Sequence, residues 1–139
     1  MISKIKQIQG RVFEKLLLEH KIDQFNNAQG RILFVLWDDD SIPISELSEK
    51  TGLAKTTLTG MLDRLEASGH IRRIFDPCDR RIVKIKLTKT ARNLKDSYDE
   101  VSMRMNKIFY DGFCDEEIII FEKNLTRILN NLTRKETNK

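Results

Sequence analysis

The fold follows from one stretch, Ile44 to Leu87, which begins Ile44-Ser-Glu-Leu-Ser-Glu-Lys-Thr-Gly52 and Lys55-Thr-Thr-Leu-Thr-Gly-Met-Leu-Asp-Arg-Leu-Glu-Ala-Ser-Gly69. It goes on with Asp76-Pro-Cys-Asp-Arg-Arg81 and ends with Val83-Lys-Ile-Lys-Leu87. The first two segments predict a short and a longer helix, each followed by a glycine of the kind that ends helices. The last two predict a turn and a strand in which apolar residues alternate with lysines. A short helix, a second helix and a basic β-hairpin, in this order, form a winged helix-turn-helix.

Further helices are predicted on both sides of this stretch. Apolar residues at helical spacing indicate a first helix over residues 2–20, and Asn26 with Gln29 forms the capping-box pattern that starts a second. A long helix is expected over residues 89–110, followed by a final helix with a broad apolar face. Further N-caps are predicted at Ser45, Thr88 and Asp115. The predicted fold class is mostly α, with a small β-hairpin wing.

Length and composition limit the class of protein. The 139 residues suit one domain, and no apolar run approaches the length of a membrane span. The N-terminal residues lack the apolar stretch of a signal peptide, and Cys78 and Cys114 form neither a CxxC pair nor a zinc spacing. His20 and His70 stand alone, so no metal site is expected. We therefore expect a cytoplasmic protein without a membrane segment or a cofactor.

The positive charge is concentrated in the middle of the chain. Residues 50–95 contain 12 Lys and Arg against 4 Asp and Glu, whereas the remainder contains 13 against 17. A positive module between negative flanks suits a surface that faces a polyanion such as double-stranded DNA. The alternative is an ordinary solvated charged face.

The second helix of the motif carries the residue types that a DNA-reading helix needs. Such a helix presents its N-terminal residues to base edges, so they must be polar and free of the core. Lys55, Thr56, Thr57 and Thr59 meet this requirement, and Thr hydroxyl and methyl groups can both contact bases. The buried stripe is predicted at Leu58, Met61, Leu62 and Leu65. The alternative is that the threonines merely form a solvated helix start.

The hairpin adds a concentrated group of cations. Six lie on or beside the β-ribbon: Arg72, Arg73, Arg80, Arg81, Lys84 and Lys86. An arginine at a hairpin tip can enter a narrow minor groove, where the negative potential is greatest. Asp79 is predicted to brace a nearby guanidinium, although a surface salt bridge of little energetic consequence is the alternative.

These residues resemble the MarR family of bacterial transcription factors over roughly residues 25–95. The most specific matches are Asp63-Arg64-Leu65-Glu66 with Gly69 following, and Asp76-Pro77 with Asp79-x-Arg81 running into Leu87-Thr88. Two departures are Ala54, where the family often has a Ser N-cap, and Ala91, where it usually has Gly. The loss of the Ser predicts a loosely held start of the recognition helix.

The resemblance implies one MarR-like domain over residues 1–139 that works as a homodimer on a pseudo-palindromic operator. Residues 26–95 would form the DNA-binding lobe, and residues 1–25 and 96–139 the interlocking dimerisation helices. The implied DNA contacts are Lys55, Thr56, Thr57, Thr59, Arg64, Arg80 and Arg81, with a structural role as the alternative for Arg64.

Many relatives release DNA when small anionic aromatic compounds bind between the dimer helices and the winged lobe. The corresponding candidates here are Phe13, Phe25, Arg31 and Trp37. Each is also a plausible core residue. No arrangement of catalytic residues or phosphate-binding loop is recognised, so an enzyme is not expected. The leading hypothesis is a ligand-responsive repressor, and the alternative is a winged-helix module that docks protein without sequence-specific DNA binding.

Overall fold

The computed structural model describes residues 1–138, which form seven helices and a three-stranded antiparallel sheet. The helices are α1 Ile2–Glu19, α2 Asn27–Asp38, α3 Ile44–Thr51, α4 Lys55–Ala67, α5 Lys89–Asn93, α6 Lys95–Phe109 and α7 Asp115–Thr137. The strands are β1 Ile42–Pro43, β2 Ile71–Phe75 and β3 Val83–Leu87. The prediction of a mostly helical winged helix-turn-helix is confirmed. The chain divides into two compact units, Met1–Met105 and Asn106–Lys139.

The core of the first unit comes from one face of each element of the motif. Buried side chains recur every three or four residues along α2 and α4, which is the spacing that keeps them on one side of a helix. Among residues 27–87, the most completely buried apolar side chains are Ile32, Leu33, Leu36, Leu47, Leu58, Leu62, Leu65, Ile71 and Ile85. This packing orients the opposite, polar face of α4 towards solvent.

The sheet has the order β1-β3-β2, so β3 is its central strand. Ile85 of β3 stands opposite Ile42 of β1 on one side and Arg73 of β2 on the other. The two-residue strand β1 was not predicted, because its Ile-Pro sequence is too short to show any alternation. It adds a third strand to the wing and fixes β3 to the segment that leads into α3.

Local signals at several helix ends are confirmed. The Asn26 side chain accepts from the Gln29 N–H at 2.9 Å, while the Gln29 side chain accepts from the Asn26 N–H at 3.0 Å. Thr88 caps α5 by accepting from the Ala91 N–H at 3.3 Å. Gly52 has a φ of 72°, the left-handed conformation in which helices commonly end.

Four other local predictions were wrong. Ser45 is not the cap of α3, because the extended Pro43 precedes the helix and Ser45 already lies inside it. Asp115 is the first residue of α7, after Cys114 at the N-cap. The expected helix over residues 89–110 is two helices, α5 and α6, which meet at Leu94. Met61 is half-buried rather than a full core residue, because it lies at the margin of the apolar stripe of α4.

The second unit consists of the end of α6 and the 23-residue helix α7. Tyr110 donates a hydrogen bond to a Glu122 carboxylate oxygen at 2.8 Å, and its ring packs edge-on against Phe121. The described part of α7 contains no buried residue in the single chain. Its exposed apolar residues include Ile119, Ile120, Phe121, Leu125, Ile128, Leu129 and Leu132. Among residues 1–138, no helix combines the length and the apolar character needed to cross a membrane.

Candidate nucleic-acid interface

The exposed face of α4 carries the residues expected to read DNA. Lys55, Thr56, Thr57 and Thr59 are all exposed, while Leu58 between them is fully buried. The Thr59 hydroxyl donates to the Lys55 carbonyl at 2.8 Å, so its lone pairs are the part left to accept from a partner. The face is therefore polar and anchored from beneath by the core.

The start of α4 lacks a side-chain cap. Ala54 occupies the N-cap position in an extended conformation and makes no side-chain hydrogen bond to the helix. The first N–H groups of a helix have no intrahelical partner, and they carry the positive end of the helix dipole. These groups and the Lys55 ammonium group give the N-terminal turn a positive character. The helix nevertheless begins at Lys55, as predicted.

Two carboxylates organise the tip of the wing. Asp76 accepts from the Cys78 N–H at 2.8 Å and from the Lys84 ammonium at 3.1 Å, and both contacts lower the pKa of Asp76. Asp79 accepts from the Arg81 side chain through Nε and Nη2, each at 3.1 Å, and from the Arg81 N–H at 3.0 Å. These bonds lower the pKa of Asp79. Arg81 is held in one orientation while its side chain remains 91% exposed.

The other five cations of the hairpin fall into two groups. Arg73 and Lys84 are half-buried and each holds a carboxylate. Arg72, Arg80 and Lys86 are exposed and make no ion pair in the described part of the chain. The register places Arg72 directly opposite Lys86, two like charges that an anion would stabilise. Arg64 of α4 is likewise exposed and has no ion pair among residues 1–138.

Arg73 has a role that the sequence analysis missed. Its guanidinium binds Asp63 through Nη2 at 2.6 Å and Glu66 through Nη1 at 2.8 Å, and its own N–H donates to Glu66 at 2.9 Å. The N–H bond and the guanidinium together lower the pKa of Glu66. The only sequence signal was a pair of acids three residues apart on the polar face of α4, seven and ten residues before an arginine.

Three of the four effector candidates surround a residue that was not predicted, Tyr98. Its ring centroid lies 5.5 Å from that of Phe13, 6.1 Å from that of Phe25 and 5.0 Å from that of Trp37. Burial raises the pKa of Tyr98 to about 12, partly offset by the positive charge of Arg31. Arg31 itself is exposed.

Trp37 also borders an open cavity of about 440 Å³. Its Nε1 donates to the Ala91 carbonyl at 3.0 Å, which fixes the indole ring beside the cavity. The other lining residues are Phe34, Val35, Asp38, Lys50, Lys95 and Asp99. The cavity thus combines two aromatic rings with charges of both signs.

This arrangement is that of a winged helix-turn-helix, and comparison with known proteins identifies the family. The family model described as "MarR family" matches residues 25–83. The chain is 33% identical over 100 residues to YsmB, an HTH-type transcriptional regulator of Bacillus subtilis, covering 72% of this chain and 68% of that protein. The chain belongs to the MarR family of HTH-type transcriptional regulators, a family of regulators rather than of enzymes.

Other relatives agree with this assignment. TtmR of Methylorubrum extorquens, an HTH-type transcriptional regulator, is 40% identical to this chain over 90 residues. The aligned residues cover 65% of this chain and 45% of TtmR. The chain thus spans less than half the length of that relative. A mutant MarR from E. coli, solved in complex with operator DNA, superposes with a TM-score of 0.83 at 25% identity, covering 92% of this chain and 90% of that one. Reduced AbfR bound to DNA superposes with a TM-score of 0.75 at 26% identity, covering 95% and 89%.

Proposed function

We propose that this protein binds double-stranded DNA sequence-specifically and represses transcription as a homodimer on a pseudo-palindromic operator. The single observation that carries the proposal is that one lobe exposes both a polar helix start at Lys55–Thr59 and an arginine, Arg81, that Asp79 holds in place. Two relatives of similar fold were solved on DNA, which supports the same partner here. Because DNA is the partner, we expect the protein to act in the cytoplasm.

The recognition helix would enter the major groove with its N-terminal turn foremost. Lys55 and the uncapped N–H groups would bind backbone phosphate, since a helix N-terminus favours anions. Thr56, Thr57 and Thr59 would contact base edges, with their methyl groups suited to thymine. Arg64, one to two turns further along, would reach the flanking phosphate backbone.

The wing would bind the adjacent minor groove through Arg81, with Arg80 as a neighbouring contact. An arginine in a narrow minor groove gains from the concentrated negative potential there. Because Asp79 already restrains the guanidinium, less side-chain entropy is lost when the groove is occupied. The ion pair with Asp79 is thus a means of ordering Arg81 rather than a source of stability.

A second copy of the chain would cover the apolar surface of the terminal helices. Leu125 is 41% exposed and Leu129 is 62% exposed in the single chain, and Ile5 and Ile8 of α1 are also exposed. Apolar surface of this extent along a long helix is typical of an interface. Two copies would present two winged lobes to successive half-sites.

The proposed repressor also responds to a small ligand. Phe13, Phe25 and Tyr98 are buried, whereas Trp37 and Phe34 of the same aromatic cluster line the open cavity. A small aromatic anion would pack against those two rings, and Lys50 or Lys95 would bind its charge. Such a ligand would release DNA if it bound the DNA-free arrangement of the lobes more tightly.

The experiment is fluorescence anisotropy of the purified protein with duplexes tiled across the region upstream of its own gene, with scrambled duplexes as controls. We expect one near-palindromic duplex to bind far more tightly than the controls. The Arg81→Ala variant should bind it about tenfold or more weakly, within the range for one groove contact, while remaining a dimer. Equal, weak binding of every duplex would contradict the proposal and favour the protein-docking alternative.

A further inference from the structure

Among residues 1–138, the ion pairs between the wing and the recognition helix are made by one residue of the wing, Arg73. From the middle of β2 it reaches three points along the exposed side of α4: the Asp63 carboxylate at 2.6 Å, the Glu66 carboxylate at 2.8 Å and, more weakly, the Thr59 carbonyl at 3.5 Å. These positions are i, i+4 and i+7, which lie on one helix face. The planar fork of N–H groups in arginine suits acceptors set apart along a helix, whereas an ammonium group presents one compact point charge.

The two carboxylates are unexpected on a helix that approaches DNA. The side chains of Asp63 and Glu66 are 65% and 41% exposed, so their charges would repel phosphate through solvent. Arg73 is not a free DNA contact, since its side chain is only 25% exposed and its guanidinium is already paired with two carboxylates. Arg73, Asp63 and Glu66 are termed here the Arg73 clamp. Their role in DNA binding is therefore not direct attraction of phosphate.

We propose that Arg73 is a positioning residue that holds the wing against the recognition helix, so that Asp63 and Glu66 strengthen operator binding despite their negative charge. This inference rests on the proposed function. β2 leads from Arg73 to the turn at Asp76 in three residues, and the same turn carries Arg81. A change in the angle of β2 at the clamp therefore moves Arg81 relative to Thr57. The minor-groove contact of Arg81 and the major-groove contact of Thr57 could then no longer form together.

The first test removes the two acids. Electrostatics alone predicts that an Asp63→Ala, Glu66→Ala double variant binds operator more tightly, because two repelling charges are lost. If Arg73 positions the wing, the double variant should instead bind operator about tenfold more weakly, as for the loss of one groove contact. Alanine favours a helix, so unfolding of α4 does not explain a loss. The matched control is Glu49→Ala on α3, an exposed acid without an ion pair in the described residues, which should bind as wild type or slightly more tightly.

The second test separates positioning from direct contact. An Arg73→Met variant should lose affinity by a similar factor at every salt concentration, with the slope of log K against log salt unchanged. A lost phosphate contact instead lowers that slope by about 0.9, as expected for an exposed contact such as Lys55. Arg73→Lys should lie between wild type and Arg73→Met, because an ammonium group cannot bind all three acceptors at once.

The third test is coupling to the wing tip. In the Arg73→Met background, Arg81 is already displaced, so Arg81→Ala should cost clearly less than it does in the wild type. A residue that merely adds stability would leave these two effects additive, provided that circular dichroism and thermal melting show folded proteins at the assay temperature.

The outcomes are distinct. Tighter or unchanged binding by the Asp63→Ala, Glu66→Ala variant, a reduced salt slope for Arg73→Met, or full additivity with Arg81→Ala would each overturn the inference. Failure of the wild-type protein to prefer any operator would instead contradict the proposed function itself, and it would be evident before any variant was compared.

Discussion

The Oη atom of Tyr98 lies 2.9 Å from the position that a Cβ atom on Gly30 would occupy. Gly30 is fully inside α2, and Tyr98 comes from α6, so the absence of a side chain at one position is what admits the ring at the other. The Tyr98 ring in turn supports Phe13 and Trp37. The aromatic cluster proposed to bind a ligand thus depends on a glycine that the sequence analysis did not single out.

Gly30→Ala should therefore destabilise the protein. Alanine stabilises a helix interior by about 0.5–1 kcal/mol relative to glycine, but overpacking a core costs about 1–3 kcal/mol. We expect a net loss of about 1 kcal/mol in the free energy of unfolding, measured by urea denaturation. Gly60→Ala is the matched control, because a Cβ there meets nothing within 4 Å and should stabilise α4. Equal effects of the two substitutions would show that Tyr98 moves aside freely.

Stability should fall in mild acid because of His70. The His70 side chain is buried, its Nδ1 lies 2.7 Å from the Ser68 hydroxyl, and its Nε2 has no hydrogen-bond partner among the described residues. Burial lowers the pKa of His70 below its ordinary 6.5, so the unfolded chain binds a proton at a pH where the folded chain does not. Above about pH 6.5 His70 is neutral in both the folded and the unfolded chain and does not change the free energy of unfolding. Below that pH the unfolded chain gains a proton that the folded chain does not bind, so the free energy of unfolding falls.

The measurement is the urea midpoint at pH 7.5 and at pH 5.5. The wild type should show a lower midpoint at pH 5.5, and His70→Gln should show a smaller difference between the two values. The other histidine, His20, is 21% exposed, and His20→Gln serves as the control that should retain the wild-type difference. Identical pH dependence in the wild type and His70→Gln would rule out this explanation.

Asp79→Ala should weaken operator binding although it removes a negative charge. Without Asp79 the Arg81 side chain loses its two hydrogen bonds to that carboxylate, and the Arg81 backbone N–H loses a third, so the side chain must be ordered on binding. We expect affinity to fall about threefold to tenfold, measured by anisotropy at constant salt. An increase in affinity would mean that Asp79 only repels phosphate.

Leu129→Glu should convert the proposed dimer into monomers. A charge in an apolar interface must be desolvated without a partner, which is costly. Asn130→Glu adds the same charge on the next residue, which faces about 100° away on the helix, and should leave the dimer intact. Light scattering coupled to size-exclusion chromatography distinguishes the two masses. A Leu129→Glu dimer would place the interface elsewhere.

Features decided by neighbours in the sequence were predicted well. The Asn26–Gln29 capping box, the left-handed Gly52 and the bounds of α4 all depend on residues within four positions of each other. The buried stripe of α4 also followed from its spacing, apart from Met61 at its margin. Local chemistry was misleading at Ser45, because the extended Pro43 starts α3 two residues earlier than the polar side chain suggested.

Features decided by contacts between elements were not predicted. Asp40 accepts from the Leu87 N–H at 2.9 Å and from Arg92 at 3.2 Å, about 50 positions away, and nothing near Asp40 in the sequence indicates either partner. Arg73 was counted with the wing cations because nothing in its own strand shows that α4 neutralises it. The candidate DNA-facing side chains could thus be named from the sequence, whereas the contacts that orient them required the structure.

The most direct test of the central claim is a salt titration of the wild-type protein on its operator duplex beside a scrambled duplex of equal length and composition. We predict that operator affinity falls steeply, by about a thousandfold between 50 and 200 mM salt. At each salt concentration the protein should bind the operator at least about a thousandfold more tightly than the scrambled duplex. A shallow salt dependence together with equal affinity for the two duplexes would contradict sequence-specific DNA binding by this protein.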